Sequence, residues 1–302
     1  MKNASRETIA PEPQQIAAIR NNSPANPFEQ ARSAASSSSQ TGSAETLRQS
    51  SEQALREVSH PGPLRSPPHP LYHAHERGKY IIPNAMISER LHINEIFYSI
   101  QGESTHAGRP CVFVRLTGCN LRCKWCDTEY AFFDGRRMPI AEVADIVRGY
   151  RCDLIEVTGG EPLLQEGVYP LMDALLESGH TVMIETSGAS DVGRLDPRII
   201  KIMDLKCPGS GECARNLWSN LDHLTMHDEI KFVVADRADY EWARDTIVTR
   251  DLAHRVNALL LSPVFGQLEP AALAAWILED RLPARMQLQM HKQIWPGISR
   301  GV

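Results

Sequence analysis

The chain has 302 residues, 42% hydrophobic and 23% charged, and a formal net charge of -5 from 32 Lys+Arg against 37 Asp+Glu. That acidic balance leaves no footprint for wrapping a phosphate backbone, so no nucleic-acid partner is expected, and no apolar run approaches the ~20 residues that cross a bilayer. The opening MKNASRETIAPEPQQ lacks the apolar centre of a secretion signal, so a cytoplasmic protein with no membrane attachment is expected.

Residues 1–88 hold half of the 20 prolines, a Ser-rich run at 33–45 and a Pro/His stretch at 60–75. Such a segment buries too little apolar surface to offset backbone entropy, and it reads as a disordered low-complexity extension with a short helix around 44–58. From residue 89 the pattern changes, and 89–302 reads as the catalytic domain. Strands are predicted at 92–99, 111–116, 154–157, 181–185, 199–205, 229–234, 258–261 and 285–290. Helices are predicted at 140–150, 164–178, 237–249 and 270–280. Apolar strands alternating with amphipathic helices indicate an α/β fold with a parallel sheet buried on both faces. The number of units in about 210 residues favours a partial (β/α) barrel over a flat doubly wound sheet, with its site at the C-terminal ends of the strands.

The seven cysteines all lie between Cys111 and Cys213, an odd number that suits reduced thiols or a metal site. Directly after the strand at 111–116, Cys119, Cys123 and Cys126 form a CxxxCxxC loop. A structural zinc ion wants four protein ligands and no second CxxC pair is present, so three thiolates with one position left open favour a 4Fe-4S cluster. Zinc completed by Cys111, Cys152, Cys207 or Cys213 is the alternative. After the next strand comes Thr158-Gly159-Gly160-Glu161-Pro162, where adjacent glycines admit a ligand close to the backbone and Glu161 can receive an ammonium group. The strand ends Glu185-Thr186-Ser187-Gly188, Asp204-Leu205-Lys206 and Ser262-Pro263-Val264-Phe265 open on the same mouth. In the run 111–116, alternation puts Val112, Val114 and Leu116 on one face and Arg115 on the other, inside the barrel. A guanidinium there needs an anion, either a substrate carboxylate or a permanent partner such as Glu103.

With Trp125 inside it, the cysteine motif resembles the radical S-adenosylmethionine superfamily. That resemblance implies a cluster whose open iron binds S-adenosylmethionine and splits it into methionine and a 5′-deoxyadenosyl radical. Glu95-Ile96-Phe97-Tyr98-Ser99-Ile100-Gln101-Gly102-Glu103, Arg109-Pro110, the run 113–120, Cys126-Asp127-Thr128 and Gln289-Met290-His291-Lys292 together resemble the 7-carboxy-7-deazaguanine synthase family. The reaction so implied contracts 6-carboxy-5,6,7,8-tetrahydropterin to 7-carboxy-7-deazaguanine with loss of ammonia, on the route to queuosine. The resemblance implies that Ile100, Gln101, Gly102, Glu103, Arg115 and Thr158 bind the pterin. Trp125, Cys126, Asp127, Gly160, Glu161, Ser187, Asp204, Leu205, Lys206, Ser262, Pro263, Val264 and Phe265 would contact S-adenosylmethionine. Cys119, Cys123 and Cys126 would ligate the cluster, and Thr128 a magnesium ion shared with substrate. An electron donor such as flavodoxin or ferredoxin and a homodimer are expected. Three departures stand out: Ser104 replaces a usual glycine, the N-terminal extension has no counterpart in the family pattern, and residues 297–302 continue past the family's terminal proline, so no C-terminal contact with the site is expected. The competing readings are an activase of a glycyl-radical enzyme and a zinc- or cluster-binding interaction module.

Overall fold

The computed structural model describes residues 89–302, so the predicted extension and its helix around 44–58 lie outside the described residues. Strand β1 (Arg90–Ile100) runs antiparallel to both of its neighbours, β2 (Pro110–Leu116) and β3 (Arg136–Pro139). From β2 onward every pairing is parallel, through β4 (Leu154–Gly159), β5 (Thr181–Thr186), β6 (Ile200–Asp204), β7 (Glu229–Val234), β8 (Ala258–Pro263) and β9 (Arg285–Met286). Among the described residues this makes one nine-stranded sheet, ordered β3-β1-β2-β4-β5-β6-β7-β8-β9.

The parallel strands are laid down in chain order with no reversal. A doubly wound sheet needs a switch point where that order turns back, whereas a sequential order suits an open barrel. Helices α1 (Ile140–Gly149), α2 (Val168–Glu177), α3 (Arg237–Thr249) and α4 (Pro270–Glu279) precede β4, β5, β8 and β9, and α5 (Met290–Ile294) follows β9. In α1, Ile140, Val143, Ala144 and Val147 are the buried positions, and in α2 Val168, Leu171, Met172 and Leu175 repeat the same spacing. Each helix thereby presents one apolar stripe to the core.

The partial barrel is as expected, with four differences. The sheet is mixed, because β1 doubles back on β2. β3 is not among the predicted strands; an edge strand tolerates its Arg136, Arg137 and Pro139 because one side makes no ladder. The predicted strand 285–290 keeps only two residues before the chain turns into α5. The predicted helix 164–178 starts at Val168, after a 3-10 turn at Pro162–Leu164.

Candidate active site

The strand register decides which side chains share a face. Arg115 lies beside Thr158, Glu185 beside Ile202, Asp204 beside Lys231, and Val233 beside Ser262. Alternation along each strand then places Arg115, Glu156, Thr158, Glu185, Asp204, Lys231 and Ser262 on one side of the sheet. The other side carries Val114, Val157, Ile184, Phe232 and Leu261, all fully buried. The polar side borders a cavity of about 790 Å³, whose wall includes Arg115, Glu156, Thr158, Glu185, Asp204 and Lys231.

One end of the cavity is the cysteine loop. Cys119, Cys123 and Cys126 all line it and are half-buried, whereas Cys111, Cys152, Cys207 and Cys213 lie outside the wall. Burial pushes all three thiols up, Cys123 to about 11, so loading a metal group requires proton release. The loop is fixed by its neighbour: Glu161 N donates to Gly118 O at 2.8 Å, and a Cβ on Gly160 would come within 2.3 Å of Gly118 O and 2.6 Å of Cys119 Cβ. Among the described residues, no three His, Cys, Asp or Glu side chains gather around a single ion. A cubane accepts three thiolates from one loop without that convergence. A polar ligand beside it also fits, because Asp204, which lines the cavity, has a buried Oδ1 with no hydrogen-bond partner among the described residues.

Most residues assigned to the cofactor reach the wall: Trp125, Asp127, Gly160, Ser187, Asp204, Lys206, Val264 and Phe265, with Thr128 beside them. Thr128 Oγ1 donates to Asp127 Oδ1 at 2.9 Å, and Asp127 pairs with Lys292 at 2.6 Å. Leu205, Ser262 and Pro263 are buried behind that wall. Glu161 is not at it either. It is fully buried, and its carboxylate accepts from Leu163 N at 3.1 Å, Ser187 N at 2.8 Å, and the hydroxyls of Thr186 and Ser187. These donors, at the positions just after β4 and at the end of β5, tie the two strand ends together through the Glu161 carboxylate.

The other end is built on the loop after β1. Ile100, Gln101, Gly102 and Glu103 line the cavity. Gln101 Nε2 donates to Glu156, and Glu103 N donates to Gln101 Oε1 at 3.0 Å. Glu103 pairs with Lys231 at 2.6 Å, and Lys231 also contacts Glu185. Burial and the Glu185 charge push the Glu156 carboxyl well up. Burial would raise Glu185 as well, but the Lys231 charge and hydrogen bond outweigh it and hold that carboxyl down. The permanent partner of Arg115 is Glu95, not Glu103: Nε lies 2.8 Å from Glu95 Oε1, which also accepts from Tyr130 OH at 2.9 Å. The two terminal amino groups of Arg115 make no hydrogen bond among the described residues, and the side chain lines the cavity. Ser104 has φ 66, the left-handed conformation that favours the glycine it replaces.

The C-terminal segment corrects an expectation. Met290 N donates to Gly102 O at 3.0 Å, and His291, Trp295 and Pro296 line the cavity together with Gly297, Ile298, Ser299 and Val302. The residues past Pro296 do reach the site. Sequence reasoning also missed Glu156, Lys231 and Tyr130. A signal for the first two was available, since each is a charged residue amid the apolar positions of a buried strand.

A family model described as the Radical SAM superfamily matches residues 113–206. Over 226 residues the chain is 46% identical to a 7-carboxy-7-deazaguanine synthase of Koribacter versatilis, an alignment that spans 70% of this chain and 100% of that one. Over 216 residues it is 48% identical to the enzyme of the same name from Chlorobaculum tepidum, spanning 70% and 97%. The chain belongs to the 7-carboxy-7-deazaguanine synthase family. The crystal structure of QueE from Escherichia coli is similar in fold, with a TM-score of 0.55 at 24% identity over 67% of this chain and 95% of that one. As a radical S-adenosylmethionine member of this family, the synthase uses a 4Fe-4S cluster and S-adenosylmethionine, and the half-buried thiols and the unpartnered Asp204 oxygen at the cavity fit both.

Proposed function

We infer that this chain is a 7-carboxy-7-deazaguanine synthase, a radical S-adenosylmethionine lyase that contracts 6-carboxy-5,6,7,8-tetrahydropterin with loss of ammonia. The observation that carries the reading is a single cavity with three thiols at one end and Glu103, Arg115 and Thr158 at the other. When bound, the reduced cluster and S-adenosylmethionine supply a 5′-deoxyadenosyl radical that removes one substrate hydrogen. The chain's own residues hold the substrate where that hydrogen is presented. Arg115, oriented by Glu95, grips the substrate carboxylate with its free amino groups. Glu103 accepts from the pterin's amino and ring N–H groups, while Ile100, Gln101, Gly102 and Thr158 shape the rest of its pocket. Cys119, Cys123 and Cys126 hold the cluster. Trp125, Cys126, Asp127, Gly160, Ser187, Asp204, Lys206, Val264 and Phe265 contact the cofactor, with Leu205, Ser262 and Pro263 backing them and Glu161 holding Ser187 in place. The C-terminal segment screens the cavity from water.

Thr128 is proposed as the protein ligand of a magnesium ion otherwise held by water and substrate, which suits a cation that dehydrates reluctantly. Residues 89–302 are proposed as the catalytic unit, supported by a relative whose whole length aligns with 70% of this chain. A flavodoxin- or ferredoxin-type electron donor, a homodimer and a cytoplasmic location belong to the same reading; among the described residues no helix is long and apolar enough to cross a membrane. Anaerobic incubation of the iron-loaded protein with reductant, S-adenosylmethionine and the carboxy-tetrahydropterin should yield 7-carboxy-7-deazaguanine and ammonia. Cleavage of S-adenosylmethionine without that product would refute the substrate. A magnesium titration unchanged in Thr128→Ala would refute the ligand.

A further inference from the structure

Lys231 stands in the middle of β7, with Ile230 and Phe232 turned to the apolar side and its own side chain buried on the cavity side. Its Nζ lies 2.6 Å from Glu103 Oε2, in short contact with Glu185 Oε1, and 3.9 Å from Asp204 Oδ2. Asp204 in turn takes Lys206 at 2.8 Å. The three carboxylates come from different parts of the chain: the loop after β1, the end of β5 and the end of β6. Arg115 and Lys206 also act on Glu185, and His291 faces Glu103 and Glu185 from α5, but among the described residues only Lys231 touches both carboxylates.

Two carboxylates facing one partly dehydrated cavity repel, and without a cation one of them takes a proton or turns away. Either outcome removes an acceptor for an N–H-rich ligand. We propose that Lys231 is a positioning residue, which holds Glu103 and Glu185 side by side as paired charged acceptors for the N–H edge of the substrate's pyrimidine ring. The proposal rests on the reading of Glu103 given above.

Equilibrium binding of the carboxy-tetrahydropterin, followed by its fluorescence on anaerobic iron-loaded protein without S-adenosylmethionine, tests this beside turnover. In Lys231→Met the dissociation constant and KM should rise on the order of 10- to 100-fold. Iron content and S-adenosylmethionine affinity should stay within about threefold, which by this scale is under 1 kcal/mol. The acid limb of the binding profile, set by Glu185 with Lys231, Glu103, Glu156, Arg115, Lys206 and His291 around it, should move to higher pH. Lys231→Arg should recover most of the affinity. If Lys231→Met does not fold, Lys231→Met/Glu185→Gln removes the charge imbalance and should still show the weakened pterin binding. Wild-type affinity and pH profile in either Met variant would overturn the proposal, as would loss of iron and S-adenosylmethionine binding with pterin binding intact. Absence of wild-type pterin turnover would overturn the substrate reading together with it, so the two failures are separable.

Discussion

Glu161→Gln keeps the shape of a buried side chain and removes half of its capacity to accept. In the native site Oε1 accepts from Leu163 N and Thr186 Oγ1, while Oε2 accepts from Thr186 Oγ1, Ser187 N and Ser187 Oγ. A glutamine amino group facing Oε1's partners strands Leu163 N–H; turned the other way, it strands Ser187 N–H. A buried backbone donor left without an acceptor costs about 1–3 kcal/mol, and loss of charge assistance on the remaining bonds adds about 1 kcal/mol. A total of about 2–4 kcal/mol lowers Tm by roughly 5–15 °C in a domain of this size. Thermal unfolding of the metal-free protein reads the first effect, and calorimetric titration with S-adenosylmethionine on the iron-loaded protein reads the second. The expected result is a clear loss of Tm with a loss of cofactor affinity under about tenfold, transmitted through Ser187. An unchanged Tm with affinity reduced about 100-fold would mean that the carboxylate meets the cofactor directly, and the hydrogen-bond reasoning would fail.

Cys123→Ala should lose the brown iron chromophore, whereas Cys111→Ala, in the core of β2 and away from the cavity, should keep it; iron and sulfide analysis checks both. Gly102→Ala should raise KM for the pterin with iron content unchanged, because the added Cβ would lie 2.4 Å from His291 Nδ1 and 3.1 Å from His291 N, forcing the C-terminal segment off the substrate loop. Glu156→Gln should flatten the pH dependence of stability. Burial and the Glu185 charge raise the Glu156 carboxyl above its ordinary 4.5, so its stabilising effect is full below that value and lost as pH rises towards the raised one. Glutamine keeps the acceptor for Gln101 and does not titrate, so the variant's Tm should gain on wild type between about pH 5 and about pH 8. Parallel melting curves across that range would show that Glu156 does not carry the proton.

The elements and the cofactor motif were legible in the chain because their signals are local. Helix α3 and strand β7 keep the predicted bounds, and CxxxCxxC and Gly160-Glu161 sit in loops that directly follow strands. Arg115 was assigned to the inner face by simple alternation, and it is there. Its partner was not legible, because Glu95 and Glu103 are both carboxylates near the same strand and only the antiparallel register sets Glu95 beside Arg115. The sequence also presented Glu161 as an open acceptor; folding brought Thr186 and Ser187 onto it from about 25 residues away. Lys231 and Glu103 are 128 positions apart, and their ion pair exists because the sheet curls through β1, β2, β4, β5, β6 and β7 until β7 faces the loop after β1. The last residues reach the cavity for a similar reason, since α5 docks on Gly102 through a backbone bond that no side-chain pattern encodes. Periodicity and motif spacing report what neighbours along the chain can do; which charges meet across a cavity depends on sheet curvature and register, and these are set by the packing of the whole core.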